Sequence, residues 1–392
     1  METISLSDNT TNLQSVPEIS PTGLAQILES GDRVQIVDVR LRTGIAAGLI
    51  PESIVLHIPG SRLLRYAHLG DMGIDPAIPV VVICGHGNDS RTAAHHLNRL
   101  GARAQSLAGG MAAWMMFSIP RVLAPPPGLD RLVQFDRVGK EALSYVLISS
   151  GEALIIDPPR DPRALLRSIE ESGATLAAVA DTHVHADYIS GAVRIARDRG
   201  IPYYLHPADS VFPYDGTPGQ VKFMPVSDGL QIRIGRCPIT VLHTPGHSPG
   251  SVTYLVGDDA AFTGDFLFIT SVGRPDLADR TKEWSTHLWK SVQMVKGAWQ
   301  SDLMIYPAHY TAGTPRTNAG AIAESFGQLL RRNPSLRMTD VDEFFSWIMA
   351  NVRSAPEAYR TIKGINVGLF TVDELEADIL ENGKNECAIG GV

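Results

Sequence analysis

The stretch Asp181-Thr-His-Val-His-Ala-Asp-Tyr188 constrains this chain more than any other. It follows the apolar run Leu176–Ala180, which reads as a buried strand. Two histidines and a carboxylate therefore stand where a strand passes into a loop. Imidazole and carboxylate are ligands suited to zinc, iron or manganese. Their spacing is too tight for one helical face, so the loop must curl around whatever it binds. The plainer alternative is a polar loop whose histidines hydrogen-bond locally. Three later segments repeat the pattern, each after an apolar, strand-like run: Thr244-Pro-Gly-His247, Thr263-Gly-Asp265 and Pro307-Ala-His309. Four strand ends that deliver His or Asp in series point to one metal centre at the rim of a β-rich domain.

A chain of 392 residues exceeds one ordinary domain, so two or three are expected. The net charge of -8, with no basic tract, argues against nucleic acid or an anionic membrane as partner. No apolar run approaches the ~18 residues of a spanning helix. Residues 1–16 are rich in Ser, Thr and Asn, lack a basic-then-apolar leader, and read as a loose tail. The three cysteines, Cys84, Cys237 and Cys387, are odd in number and far apart, which is no disulfide framework. A reducing, cytoplasmic compartment is the simplest reading.

Residues 17–122 read as an α/β domain. Val34–Val39 and Pro79–Cys84 are strands, and Ser90–Leu100 is a helix with Ala93, Ala94, Leu97 and Leu100 inward. Alternation of this kind implies a parallel sheet. Cys84 ends the second strand, and Gly85-His-Gly-Asn-Asp89 joins it to the helix. Two glycines let backbone N–H groups turn inward, and the helix N-terminus adds positive potential. Such a cradle is expected to stabilise an anion on sulfur and to lower the thiol pKa. The alternative is a structural cysteine that merely ends a strand. From about Glu18 to Pro120, Val37-Asp-Val-Arg40, the loop Cys84–Ser90 and Leu107-Ala-Gly-Gly-Met-Ala-Ala-Trp114 resemble a single-domain rhodanese. That resemblance makes Cys84 the catalytic residue, a carrier of sulfane sulfur as a persulfide. Asp89 departs from the family pattern, and its carboxylate would repel thiosulfate as a donor.

Ala124-Pro-Pro-Pro-Gly128 reads as a stiff linker over 123–128. A second domain, 129–332, has two β-rich halves with helices outside, an αββα sandwich with ligands at one rim. Residues 333–392 form a C-terminal extension, with a capping signal at Thr339–Asp342 and an apolar helical face of Val341, Phe344, Phe345, Ile348, Met349 and Val352. The four metal motifs occur in the order of the metallo-β-lactamase superfamily, which the second domain resembles. In that family a second ion usually uses the Asp of the loop, the His after it and the late His; here Tyr188 follows Asp187, and phenol ligates poorly at neutral pH. One ion with two His and one carboxylate is the facial triad of non-haem Fe(II) oxygenases. Within the superfamily this resembles persulfide dioxygenases. That resemblance implies His183, His247 and Asp265 as ligands of one Fe(II) per chain, with His185, Asp187 and His309 as the shell around iron-bound water. It also implies that Arg274, in Val272-Gly-Arg-Pro-Asp276, meets the substrate carboxylate, with Tyr310 close by; an ion pair of Arg274 with Asp276 is the alternative. The expected partners are a small-molecule thiol persulfide, such as glutathione persulfide, and O2; a homo-oligomer stays open. Two rivals remain: a binuclear zinc thioester hydrolase similar to glyoxalase II, and a non-catalytic sulfur carrier or sensor.

Overall fold

A computed structural model describes residues 16–41, 50, 54–278 and 280–390. The expected N-terminal tail, Val16 apart, lies outside the described residues. The chain forms two compact units. The first gathers residues up to Phe117 with Val138–Lys140 and Asn382–Lys384, and the second holds Ser118–Arg137, Glu141–Glu381 and Asn385–Val392.

Strands β1 (Glu18–Ile19), β2 (Gln35–Asp38), β3 (Ile54–His57), β4 (Val80–Ile83) and β5 (Ala104–Leu107) make an all-parallel sheet in the order β1-β5-β4-β2-β3. Every residue of β4 is buried, as a continuous apolar run in a two-sided parallel sheet should be. The following helix, Asn88–Arg99, covers the sheet with Ala93, Ala94 and Leu97. It stops where Gly101 takes a left-handed φ of 96°.

The second unit is a two-sheet sandwich. One sheet holds, side by side in chain order, β6 (Ile119–Leu123), β7 (Arg131–Arg137), β8 (Ala142–Ser149), β9 (Glu152–Ile156), β10 (Thr175–Ala180), β11 (Tyr203–Leu205) and β12 (Met224–Pro225). The other runs through β13 (Gln231–Ile234), β14 (Cys237–His243), β15 (Val252–Val256), β16 (Ala260–Gly264), β17 (Met304–Pro307) and β18 (Glu324–Ser325). Leu143, Tyr145 and Leu147 of β8 meet Ile239, Val241 and Tyr254 in the core between the sheets. The alternate residues Val146 and Ile148 face the helices Arg163–Glu171 and Ala192–Arg199. Both faces of β8 are therefore buried, and the alternation of period two distributes one strand between two cores. No helix of the described residues is long and apolar enough to cross a membrane.

Two expectations shift. Ile119–Leu123 pairs antiparallel with β7, so the sandwich begins before residue 123 rather than at 129. The proline run is the connection of this hairpin, closed by a turn from Pro126 O to Leu129 N–H, and not a spacer between the units. In the extension, the Val341–Asn351 helix is capped by Asp340, whose side chain accepts from the N–H groups of Asp342 and Glu343. Its buried face is narrower than the pattern suggested: Phe344 and Ile348 enter the core, whereas Val341 and Met349 are exposed.

The extension continues through the Glu357–Asn366 and Glu374–Leu380 helices to Glu381, which is fully buried. Glu381 pairs with Arg137 and with Arg160, the latter at 3.0 Å. Removing one side of a buried ion network leaves charge behind, so Glu381→Ala is expected to lower stability by about 3 kcal/mol. Urea denaturation checks this; an unchanged midpoint would contradict the network's role in docking the extension.

Candidate metal centre

Neighbouring strand ends build the centre. The His183–Tyr188 loop leaves β10, His247 follows β14, Asp265 follows β16 and His309 follows β17. All of these side chains are buried. Asp265 Oδ2 lies 3.6 Å from His183 Nε2 and 3.5 Å from His247 Nε2, while its Oδ1 lies 3.6 Å from His309 Nε2. Asp187 Oδ2 lies 3.4 Å from His309 Nε2. These separations are long for hydrogen bonds. They suit donors that share a cation, since ligands about 2 Å from an ion stand roughly 3 Å apart.

Hydrogen bonds set each imidazole. His183 Nδ1 is 3.0 Å from Thr182 Oγ1, His247 Nδ1 is 3.0 Å from Arg274 O, and His309 Nδ1 is 3.1 Å from Glu141 O. In a neutral ring, a proton on Nδ1 leaves the Nε2 lone pair facing Asp265. None of these three Nε2 atoms makes a hydrogen bond to a described residue. Burial, reinforced by neighbouring cationic groups, holds His183 and His247 well below the usual imidazole range. Burial, with Asp187 adding to it and His309 opposing it, pushes Asp265 up to about 6. Burial also pulls on His309, but Asp187 and Asp265 outweigh it and carry this imidazole up to about 9. Neutral imidazoles that converge on a buried carboxylate fit a divalent cation. His183, His247 and Asp265 could hold one ion, and His185, Asp187 and His309 form an adjoining group.

Supporting residues went unread in the sequence. Parallel pairing of β9 and β10 brings Asp157 beside Thr182. Asp157 Oδ1 accepts from Thr182 N–H at 2.7 Å and lies 3.2 Å from His185 Nε2. Asp209 ties two ligand loops together, accepting from Val184 N–H at 2.8 Å and from Gly250 N–H at 2.6 Å. From the extension, Lys363 Nζ donates to Val184 O at 3.0 Å, and Asn366 Nδ2 donates to His185 O and Tyr188 O at 2.9 Å each. Cys387 Sγ is buried within 4.8 Å of ligand atoms of Asp265 and His309. Burial, then Asp187 and Asp265, keep its thiol well above the ordinary range. The carboxylates that end apolar strands were a signal available in the sequence. The extension's contacts were not, because they join residues about 180–240 positions apart.

In the first unit, Cys84 Sγ accepts from Gly87 N–H at 3.1 Å and lies 3.3 Å from Ser90 Oγ. The second glycine motif explains the loop's shape. The Met111 and Ala112 N–H groups donate to Cys84 O and Gly85 O. A Cβ on Gly110 would stand 2.5 Å from Cys84 O, and φ there is 60°, so only glycine permits this approach. Asp89 is exposed on the first turn of the following helix.

Residues 138–309 match the metallo-beta-lactamase superfamily, and residues 20–116 match the rhodanese-like domain. A probable metallo-hydrolase of Bacillus subtilis is 34% identical over 36% of this chain and 74% of its own length. The chain belongs to the metallo-beta-lactamase superfamily. The human mitochondrial persulfide dioxygenase ETHE1 is 35% identical over 41% of this chain, and the chain spans only 59% of that protein. A metallo-beta-lactamase crystal structure from Staphylococcus aureus superposes with a TM-score of 0.55 at 27% identity, covering 62% of this chain and 74% of that one.

Arg274 and Tyr310, the two expected substrate contacts, both have protein partners. Arg274 is buried; its Nε and Nη2 grip Asp276 at 2.8 and 2.6 Å, and it also donates to Glu386 O and Arg353 O. Its guanidinium is thus held by a neighbouring acid and by the extension, and its backbone carbonyl orients His247. Tyr310 donates to Asp136 Oδ1 at 2.8 Å, and Arg316 lies over its ring. The Tyr188 phenol lies 2.9 Å from His185 Nε2, with the two rings stacked. Burial and then Asp157 hold this phenol well above its ordinary range, so it stays protonated.

Gly273 lets its segment pass behind the centre. A Cβ there would stand 1.9 Å from Asp265 O and 2.9 Å from His247 Nδ1. Gly273→Ala must displace both residues and is expected to weaken divalent-metal binding about tenfold or more. Metal titration checks this; unchanged affinity would contradict the assigned centre.

Proposed function

We propose that the chain is a persulfide dioxygenase dependent on one Fe(II) held by His183, His247 and Asp265, fused to a domain that carries sulfane sulfur on Cys84. The convergence of two unpartnered Nε2 atoms on Asp265 Oδ2 carries this reading, because two imidazoles and one carboxylate leave positions open for O2 and a sulfur ligand. The reaction turns one persulfide, one O2 and one water into one thiol, one sulfite and two protons. When bound, iron would supply O2 activation beside the substrate sulfur.

The chain's own residues contribute position and surroundings. Thr182, Arg274 O and Glu141 O fix the imidazoles. His185 is drawn toward its charged form: burial opposes this, but Asp157 outweighs it, which places a hydrogen-bonding group next to the centre. Ala186, Phe268, Leu277, Trp284 and Tyr359 pack around the site and limit water. A cavity of about 650 Å³ opens beside Val184, with Tyr214, Arg280, Trp284 and Lys363 in its lining. Its size suits a low-molecular-weight thiol such as glutathione persulfide, and its lining sets the acids Asp209 and Asp215 beside Arg280 and Lys363. Of these cations, Arg280 pairs with Glu283 and Lys363 donates to Val184 O. In the rhodanese-like unit, Gly87 N–H and the Ser90 hydroxyl, which meet Cys84 Sγ, would hold a persulfide there.

Oxygen uptake by iron-loaded full-length protein with glutathione persulfide tests the proposal. Asp265→Ala is expected to lose on the order of a hundredfold in rate, whereas Cys84→Ser keeps oxidising supplied persulfide. Uptake by the parent chain no faster than by Asp265→Ala would overturn the reading. Zinc in both positions together with thioester hydrolysis would establish the glyoxalase II-like rival.

A further inference from the structure

The extension ends in a strap, Asn385–Ile389, that runs beside the metal centre. Ala388 bridges to Gly273, Cys387 O accepts from Arg274 N–H at 2.7 Å, and Ile389 N–H donates to Val272 O at 3.0 Å. Asn385 Nδ2 donates to Glu141 O and Tyr310 O at 3.2 Å each, and Asn385 Oδ1 accepts from Cys387 N–H at 3.3 Å. The same two residues hold histidines: Glu141 O meets His309 Nδ1, and Arg274 O meets His247 Nδ1. The strap and the imidazoles are therefore fixed by one set of backbone groups.

On this strap Cys387 turns its thiol inward. Its Sγ, an Asp265 oxygen and a His309 ring nitrogen lie within 4.8 Å of one another, and all three residues are buried. His309 Nε2 makes no hydrogen bond to a described residue, although the ring is anchored at Nδ1. The Cys387 thiol donates to the Tyr359 hydroxyl at 3.9 Å and also meets the Asp265 carboxylate. Asp265 presents Oδ2 to His183 and His247 and Oδ1 to His309. Tyr188 turns its phenol onto His185 and gives no donor to this side.

We propose that Cys387 is a metal ligand: with Asp265 and His309 it completes the second cation position usual in this superfamily, in the place of the imidazole that Tyr188 replaces. Asp187, whose Oδ2 is 3.4 Å from His309 Nε2, borders it. Thiolate, imidazole and carboxylate together suit a borderline-soft divalent ion, zinc before iron. On binding, the S–H bond breaks, its proton leaves to solvent, and a sulfur–metal bond forms without change of oxidation state. An ion here would fasten the strap to the sandwich and add a charge next to the oxygenase position. This claim reaches beyond the persulfide reading. The iron count and oxygen uptake can hold or fail without it.

Anaerobic titration of the full-length chain with Co²⁺ tests it by absorbance. Thiolate-to-cobalt charge-transfer absorption is expected in the near ultraviolet. Cys387→Ser is expected to lose it, while Cys84→Ser keeps it and the visible bands of the histidine–carboxylate position persist in both. Bound zinc is expected to fall from about two to about one per chain in Cys387→Ser. X-ray absorption at the zinc edge needs no variant and is expected to show a sulfur neighbour in the parent chain. A zinc-edge spectrum without sulfur, or charge-transfer absorption that survives in Cys387→Ser, would overturn the proposal.

Discussion

Three hydrogen bonds at Nδ1 govern the centre. Thr182 Oγ1, Arg274 O and Glu141 O each meet one imidazole, and each bond turns an Nε2 toward the same carboxylate. A single bond of this kind adds only about 1 kcal/mol to stability. Its larger effect is to decide which nitrogen keeps its lone pair and where that lone pair points. The arrangement strands buried polar atoms, which cost about 1–3 kcal/mol each when nothing meets them. A cation offsets that cost. The fold serves this geometry: strands from both sheets end at one rim, and Asp209 links two of the loops that leave them.

Much of this was legible in the sequence because the signals are local. An apolar run that stops at His or Asp marks a strand end, and four such runs gave the rim. The Cys84 loop follows from glycine placement, and the two-sheet sandwich from the two β-rich halves. What stayed hidden depends on contacts distant in the chain. Asp157 looks like any strand terminus until β9 lies parallel to β10. Val341 and Met349 share the helical spacing of Phe344 and Ile348, yet only the latter pair meets the core. The proline run has the composition of a spacer, but the register of β6 against β7 makes it a hairpin connection.

The extension changes the reading of the site most. Arg274 and Tyr310 sit at the expected places in the chain, but their side chains hold Asp276, Glu386 and Asp136. Their neighbours matter instead: the carbonyl of Arg274 orients His247, and the carbonyl of Tyr310 holds the terminal strap. Lys363, Asn366 and Cys387 come from a segment whose sequence carries no motif, yet each reaches the centre or the loop that forms it. The chain thus carries a glycine-cradled thiol in one unit and a histidine–carboxylate centre in the other.

The measurement closest to the central claim is anomalous scattering at the iron edge, from crystals of protein purified without added metal. The account places one iron peak bounded by His183 Nε2, His247 Nε2 and Asp265 Oδ2. No iron peak there, or an ion seated against the Tyr188 phenol, would contradict it.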